Sequence, residues 1–206
     1  MMEDGRMVLV LDDEPSVLRG LERLLTGHGY QVRLHLTPES LFADGLPKMP
    51  ACLLLDNNLN HGQSGLQVHA EVLCRGWHLP TIFLTGHWNV KEVVNAIRAG
   101  ADGFLTKPYD PDELLANVVD AIERARNHHQ QQQAVAEARL RSSSLTKRER
   151  EVVCHVVSGK LNKEIAVAMG LALITVKVHR GRAMRKLNAG NAAELARIAS
   201  LAGLCL

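Results

Sequence analysis

Apolar residues along this 206-residue chain recur in two rhythms, and the rhythm changes partway. In the first part, short unbroken apolar runs alternate with stretches of helical spacing. Met7-Val8-Leu9-Val10-Leu11, Ala51-Cys52-Leu53-Leu54-Leu55 and Thr81-Ile82-Phe83-Leu84 are too short for ordinary helices and are bounded by polar residues. Such runs suit strands buried on both faces. Residues 31–36 alternate weakly and read as another strand, and Asp102-Gly103-Phe104-Leu105 reads as a short fifth. Between them Val17, Leu18, Leu21, Leu24 and Leu25 recur at helical spacing, with Ser16 as the predicted N-cap and Gly27 and Gly29 as the stop. Thr37-Pro38 starts a second helix, with threonine as cap and proline at the first position. Further helices are predicted from near Gly65, over 90–99 before Gly100, and from Asp110-Pro111-Asp112-Glu113, whose acids suit a helix N-terminus. Five strands alternating with five helices predict an α/β fold, a parallel sheet with helices on both faces.

The second rhythm is helical throughout. Leu114 to Arg141 holds neither Gly nor Pro and includes Gln130-Gln131-Gln132-Gln133 and mostly good helix formers. An extended linker helix is predicted, ended by Ser142-Ser143-Ser144; a flexible glutamine-rich tether is the alternative. Thr146 and Glu149 have capping-box spacing, Val152, Val153, Val156 and Val157 form one helix face, and Gly159 ends it. A second helix runs from Leu161 or Asn162 to Met169, a third from about Leu173 to Leu187, and a fourth follows Asn191. The organisation expected is an α/β domain over 1–122, a helical linker over 123–142 and a small all-α bundle over 143–206.

Charge sharpens that division. Residues 1–120 carry 9 Lys/Arg against 16 Asp/Glu, net −7, whereas residues 141–206 carry 12 against 4, net +8. An acidic front and a basic back imply that the second domain has a polyanionic partner. Cys52, Cys74, Cys154 and Cys205 make no CxxC pair and no zinc spacing, so they are expected as buried free thiols in a reducing cytosol. The opening Met-Met-Glu-Asp-Gly-Arg carries acid where a signal peptide needs base, and no apolar run reaches the roughly 20 residues of a membrane helix. A cytoplasmic protein without a membrane partner is expected.

The candidate chemistry lies where the strands end, because ligands of open α/β sheets sit outside the carboxyl ends of the strands. Asp12, Asp13 and Asp56 close two strands that can be neighbours. Packed together they repel, and a hard, oxygen-preferring cation such as Mg²⁺ would resolve this. Thr85 ends the next strand and offers a hydroxyl; Lys107 ends the fifth and offers a compact positive charge. This set suits phosphoryl transfer to Asp56, with the metal and Lys107 neutralising the phosphoryl oxygens.

Leu11-Asp12-Asp13-Glu14-Pro15, Leu55-Asp56, Leu84-Thr85-Gly86-His87 and Lys107-Pro108-Tyr109 together resemble the receiver domain of two-component response regulators, over roughly residues 5–125. The resemblance implies a flavodoxin-like fold with strand order 2-1-3-4-5 and phosphorylation of Asp56 by a histidine kinase. It implies Mg²⁺ held by Asp12, Asp13, Asp56 and the Asn58 carbonyl, Thr85 and Tyr109 as a switch pair, and a cis Lys107–Pro108 peptide. One loop departs from the family: Asp56-Asn57-Asn58-Leu59-Asn60 lacks the usual Met-Pro, and Gly65 falls one residue late.

In the basic bundle, a short helix, a glycine turn and a longer basic helix have the order of a helix-turn-helix, whose second helix enters the major groove. Thr175, Lys177, Val178, Arg180, Arg182, Arg185 and Lys186 lie on that second helix and Lys163 on the first. Basic groups there would neutralise phosphates, and those at the helix start could read base edges. Leu145-Thr146-Lys147-Arg148-Glu149-Arg150-Glu151-Val152, Asn162-Lys163-Glu164-Ile165-Ala166 and Thr175-Val176-Lys177-Val178-His179-Arg180 resemble the LuxR-type DNA-binding domain, over about 143–204. By that match Lys177 and Val178 contact bases, Gly181 falls where relatives carry a long polar residue, and Ala172 stands in place of the usual Ser cap.

Receiver plus bundle resembles a transcription regulator of the NarL/FixJ type. It implies double-stranded promoter DNA, a histidine kinase and RNA polymerase as partners, a homodimer on phosphorylation, and no enzymatic turnover beyond self-phosphorylation and dephosphorylation at Asp56. Two alternatives are a regulator that binds DNA constitutively and a phosphatase with Asp56 as nucleophile. Such a phosphatase commonly needs an acid two residues on, where this chain has Asn58.

Overall fold

The computed structural model describes residues 5–59, 62–86, 96–97 and 100–205. The chain divides into two compact units, Met1–His129 and Gln130–Leu206.

The first unit is built on five parallel strands, β1 (Met7–Leu11), β2 (Gln31–His35), β3 (Ala51–Asp56), β4 (Thr81–Thr85) and β5 (Gly103–Thr106), in the order β2-β1-β3-β4-β5. Helices α1 (Pro15–Gly27), α2 (Pro38–Asp44), α3 (Gly65–Cys74) and α4 (Pro111–Ser143) connect and follow them. The unbroken apolar runs are explained by burial on both sides. Val8, Val10, Cys52, Leu54, Ile82 and Leu84 pack against Leu18, Leu21 and Leu25 of α1 and Leu114, Val118 and Ala121 of α4. Met7, Leu9, Leu11, Leu53, Leu55 and Phe83 face the other way, onto Leu41 of α2 and Val68 and Val72 of α3. Each such side chain contributes about 1.5–3 kcal/mol on leaving water.

Local signals resolve in detail. Thr37 caps α2 by accepting from the Ser40 N–H at 3.3 Å, with Pro38 at the first position. α1 starts earlier than expected: Glu14 is the N-cap and Pro15 occupies the first turn, so Ser16 is already helical. Proline's fixed φ suits that place and its missing N–H is no loss there. β5 starts at Gly103, one residue later than expected. The helix expected over 90–99 lies outside the described residues except at Ala96 and Ile97, which are helical.

α4 runs on from the first unit into the second, in place of a flexible tether, and continues through Ser142 and Ser143. The second unit holds α5 (Lys147–Val157), α6 (Asn162–Met169), α7 (Leu173–Leu187) and α8 (Ala192–Ala202). Its core gathers Val152, Val153 and Val156 of α5, Ile165 of α6, Val176, Ala183 and Leu187 of α7, and Leu195, Ile198 and Ala199 of α8. Ala138 of α4 joins this core, and Arg141 donates to the Leu187 carbonyl at 3.3 Å, so the end of the connector packs with the bundle. The capping box at the start of α5 forms reciprocally: the Thr146 N–H reaches Glu149 Oε2 at 2.8 Å and the Glu149 N–H reaches Thr146 Oγ1 at 3.3 Å. Gly170 closes α6 at φ +63°, a conformation glycine adopts without cost.

The cysteines differ from expectation. Cys154 of α5 and Cys205, beyond α8, form a disulfide with Cα atoms 5.4 Å apart. Cys74 is exposed, and only Cys52 is a buried free thiol. The two paired cysteines are 51 residues apart, and only the packing of α8 on α5 brings them together, so spacing gave no hint of the bond.

Candidate functional site

Register alone sets the first site. Leu11 pairs with Leu55, Asp56 with Leu84 and Thr85 with Thr106, so Asp12, Asp56, Thr85 and Lys107 emerge at adjacent strand ends. Asp12 is fully buried. Its Oδ1 accepts the Glu14 N–H at 2.9 Å and its Oδ2 accepts Lys107 Nζ at 2.7 Å. The same ammonium lies 3.3 Å from Asp56 Oδ1. Carboxylate oxygens of Asp12, Asp13 and Asp56 lie within 4.8 Å of one another, a spacing at which one cation can bridge them; among the described residues no other such acidic or His/Cys group occurs.

Burial pushes the Asp56 carboxyl above its ordinary range; Lys107 opposes this, Asp12 reinforces it, and the Asn58 N–H donates to the carboxylate. Burial acts on Lys107 in the opposite sense, but the hydrogen bond and charge of Asp12, then of Asp56, outweigh it and hold the ammonium protonated above its usual range. One cation among three carboxylates leaves a net negative pocket. Its donors are hard oxygens, which fit Mg²⁺ and not a soft metal.

Thr85 is fully buried at the end of β4, and its carbonyl accepts the Lys107 N–H at 2.6 Å. The Lys107–Pro108 peptide is cis. Tyr109 lies half-buried against the core on the α1 and α4 side. The loop after Asp56 is pinned tightly: the Asn57 N–H donates to the Leu84 carbonyl and the Gly65 N–H to the Asn57 carbonyl. A Cβ on Gly65 would sit 2.5 Å from the Asp56 carbonyl oxygen, so only glycine lets α3 approach this loop. Asn60 and His87 lie outside the described residues.

The second site is the outer face of α7. Val176, Ala183 and Leu187 turn into the core, while Ile174, Lys177, Val178, Gly181, Arg182 and Arg185 are exposed. These exposed positions follow helical spacing and form one stripe along α7. Ile174, 67% exposed, went unremarked in the sequence; its spacing of three and four from Lys177 and Val178 is the signal that could have found it. Lys163 is exposed on α6 and Thr175 half-buried in the first turn of α7. Arg180 turns inward, and its guanidinium donates to Asn162 Oδ1 at 2.9 Å. Lys186 also has an internal partner: its ammonium is 2.6 Å from the buried Glu149 carboxylate and 2.9 Å from the Ser144 carbonyl. Burial raises the Glu149 carboxyl, but hydrogen bonds from Lys186 and Thr146 bring it below its ordinary value.

A doubly wound sheet with three carboxylates, a threonine and a lysine at its mouth, followed by a basic helix-turn-helix, defines a receiver joined to a DNA-binding module. Residues 8–119 match the family "Response regulator receiver domain" and residues 143–199 match "Bacterial regulatory proteins, luxR family". The chain belongs to the NarL/FixJ-type response regulators, DNA-binding output proteins of two-component systems. It is 36% identical to Nodulation protein W of Bradyrhizobium diazoefficiens, over 96% of this chain and 87% of that protein. It is 35% identical to the transcriptional regulatory protein FixJ of Azorhizobium caulinodans, over 98% of this chain and 96% of that one. The solved structure of the response regulator StyR superposes with a TM-score of 0.83 at 32% identity, covering 95% of this chain and 98% of that one. No described helix is long and apolar enough to cross a membrane.

Proposed function

We propose that Asp56 is the phosphoacceptor and that a phosphohistidine of a histidine kinase is the donor. An Asp56 carboxylate oxygen attacks phosphorus, the P–N bond breaks, and the leaving imidazole takes up a proton. Asp12, Asp13, Asp56 and the Asn58 carbonyl would hold Mg²⁺. When bound, the ion supplies charge neutralisation at the phosphoryl oxygens. Lys107 supplies a second positive charge, already placed between Asp12 and Asp56. That placement is the observation that carries the reading. Buried Thr85 would donate its hydroxyl to the new phosphoryl group, with Tyr109 packing inward as Thr85 moves.

The output is a homodimer in the cytoplasm whose two bundles bind adjacent half-sites of promoter DNA and engage RNA polymerase. Lys163, Arg182 and Arg185 contact phosphates; Thr175, Lys177 and Val178 stand at the start of α7, where base edges are read. Ile174 adds an apolar contact on the same stripe. Arg180 and Lys186, also expected at the DNA, pair with Asn162 and Glu149 and so brace the bundle as well.

Duplexes selected from a random pool test this reading. Beryllofluoride with Mg²⁺, which imitates the phosphoryl group, is expected to tighten binding of the full chain at least about tenfold, a gain of about 1.4 kcal/mol. Asp56→Asn is expected to show no such gain. Equal affinity with and without beryllofluoride would favour constitutive binding instead.

A further inference from the structure

We propose that Cys154 and Cys205 form a reversible redox clasp on the DNA-binding unit, open as two thiols and closed as the disulfide. Four observations converge on this. The Cα atoms are 5.4 Å apart, within the range a disulfide spans without moving the backbone. Cys154 Sγ lies 3.5 Å from the Leu204 carbonyl oxygen, an acceptor within reach of the thiol when the bond is open. Cys205 is exposed and Cys154 half-buried, so oxidant and reductant have access. Neither other cysteine is paired: Cys52 is fully buried in the first unit, where burial drives its thiol far above the range of a reactive cysteine, and Cys74 is a free thiol of that same unit.

The reversibility rests on the cytoplasmic reading above. There thiols are kept reduced, and disulfides are transient and redox-sensing. The chemistry balances with hydrogen peroxide as oxidant, each departing hydroxide taking up a proton. The exposed Cys205 thiolate attacks the peroxide, the O–O bond breaks, and a sulfenic acid forms with release of water. The Cys154 thiolate then attacks that sulfur, the S–O bond breaks, and a second water leaves. A dithiol reductant returns both thiols by exchange.

Closing the bond ties the segment after α8 to α5. Leu195, Ile198 and Ala199 of α8 share one core with Val152, Val153 and Val156 of α5 and with Val176 of α7, so the clasp stiffens the body that carries the recognition stripe. The device acts on the second unit alone and is independent of Asp56.

Alkylation under denaturing conditions, after incubating the full chain with dithiothreitol or with hydrogen peroxide, counts the thiols. All four cysteines are expected to label after reduction and only Cys52 and Cys74 after oxidation, with a peptide linking Cys154 to Cys205 found by mass spectrometry. The second unit has no tryptophan, so its melting is followed by far-ultraviolet circular dichroism and distinguished from the tryptophan fluorescence of the first unit. The oxidised form is expected to melt at least about 8 °C above the reduced one. Cys205→Ser is expected to melt like the reduced form under both conditions. Four labelled cysteines after peroxide, linkage through Cys74, a bond that survives excess dithiothreitol in the native protein, or equal melting of the two forms would each overturn the clasp. The thiol count needs no variant and no DNA or phosphodonor, so its failure is separate from failure of the phosphoacceptor reading.

Discussion

Replacing Lys107 with methionine removes the cation that the acidic crevice carries within itself. The side chain is 23% exposed, and its ammonium sits 2.7 Å from Asp12 and 3.3 Å from Asp56. At an effective dielectric of about 20 these separations correspond to gross attractions of about 6 and 5 kcal/mol. Most of that is offset by the cost of taking the ions out of water. Removing one partner of such a buried set typically costs about 3–5 kcal/mol, because the remaining charges are left without compensation. Against a typical domain stability of about 5–15 kcal/mol this is a large share. Both tryptophans, Trp77 and Trp88, belong to the first unit, so urea unfolding followed by tryptophan fluorescence reports on it. In chelator, Lys107→Met is expected to lower stability by about 3 kcal/mol. Millimolar Mg²⁺ is expected to restore part of the loss, since a dication takes over the same carboxylates. Adding Asp12→Asn to Lys107→Met should also recover stability, because it removes a charge that has lost its partner. An unchanged midpoint in chelator, or a loss that Mg²⁺ leaves untouched, would refute the electrostatic account of the crevice.

Three further outcomes follow from particular contacts. Gly65→Ala puts a Cβ 2.5 Å from the Asp56 carbonyl oxygen and 2.8 Å from the Asn57 Cα, so it is expected to displace the Asn57–Asn58 loop, lower Mg²⁺ affinity by calorimetry and destabilise the first unit by more than about 1 kcal/mol. Burial lowers the pKa of both His35 and His69, so below about pH 6.5 the unfolded chain binds more protons at these two sites than the fold does. Stability of the first unit should therefore fall as the pH drops below that point, by up to about 1.4 kcal/mol per pH unit per histidine, until the folded histidines protonate; a flat urea midpoint between pH 7 and 5.5 would contradict this. Lys186→Ala should lower the melting temperature of the second unit, through the lost Glu149 pair, whereas Arg182→Ala should reduce the salt slope of DNA binding by about one with little effect on melting.

The sequence made the receiver legible because parallel strands buried on both faces must be apolar without interruption, and because chemistry gathers where such strands end. Asp12, Asp56, Thr85 and Lys107 could be placed at one mouth before any geometry was known. The helix caps at Thr37 and Thr146 were legible too, since capping acts over three residues. What escaped depends on long separations. Lys186 reads as one more base on a basic helix until the fold brings Glu149 to it across 37 residues. Arg180 is diverted inward by Asn162, 18 residues away. The Cys154–Cys205 bond needs α8 to lie on α5, and although the continuous helix through the linker was legible, the packing of Ala138 and Arg141 with the bundle was not.

The central claim, that Asp56 takes a phosphoryl group in a Mg²⁺-dependent reaction, is tested most directly by incubating the full chain with acetyl phosphate and locating the modification by peptide mass spectrometry. The account predicts a single labile phosphoryl group on the peptide containing Asp56, present with Mg²⁺, absent in chelator and absent in Asp56→Asn. Labelling that persists in Asp56→Asn, or that forms equally well without a divalent ion, would contradict it.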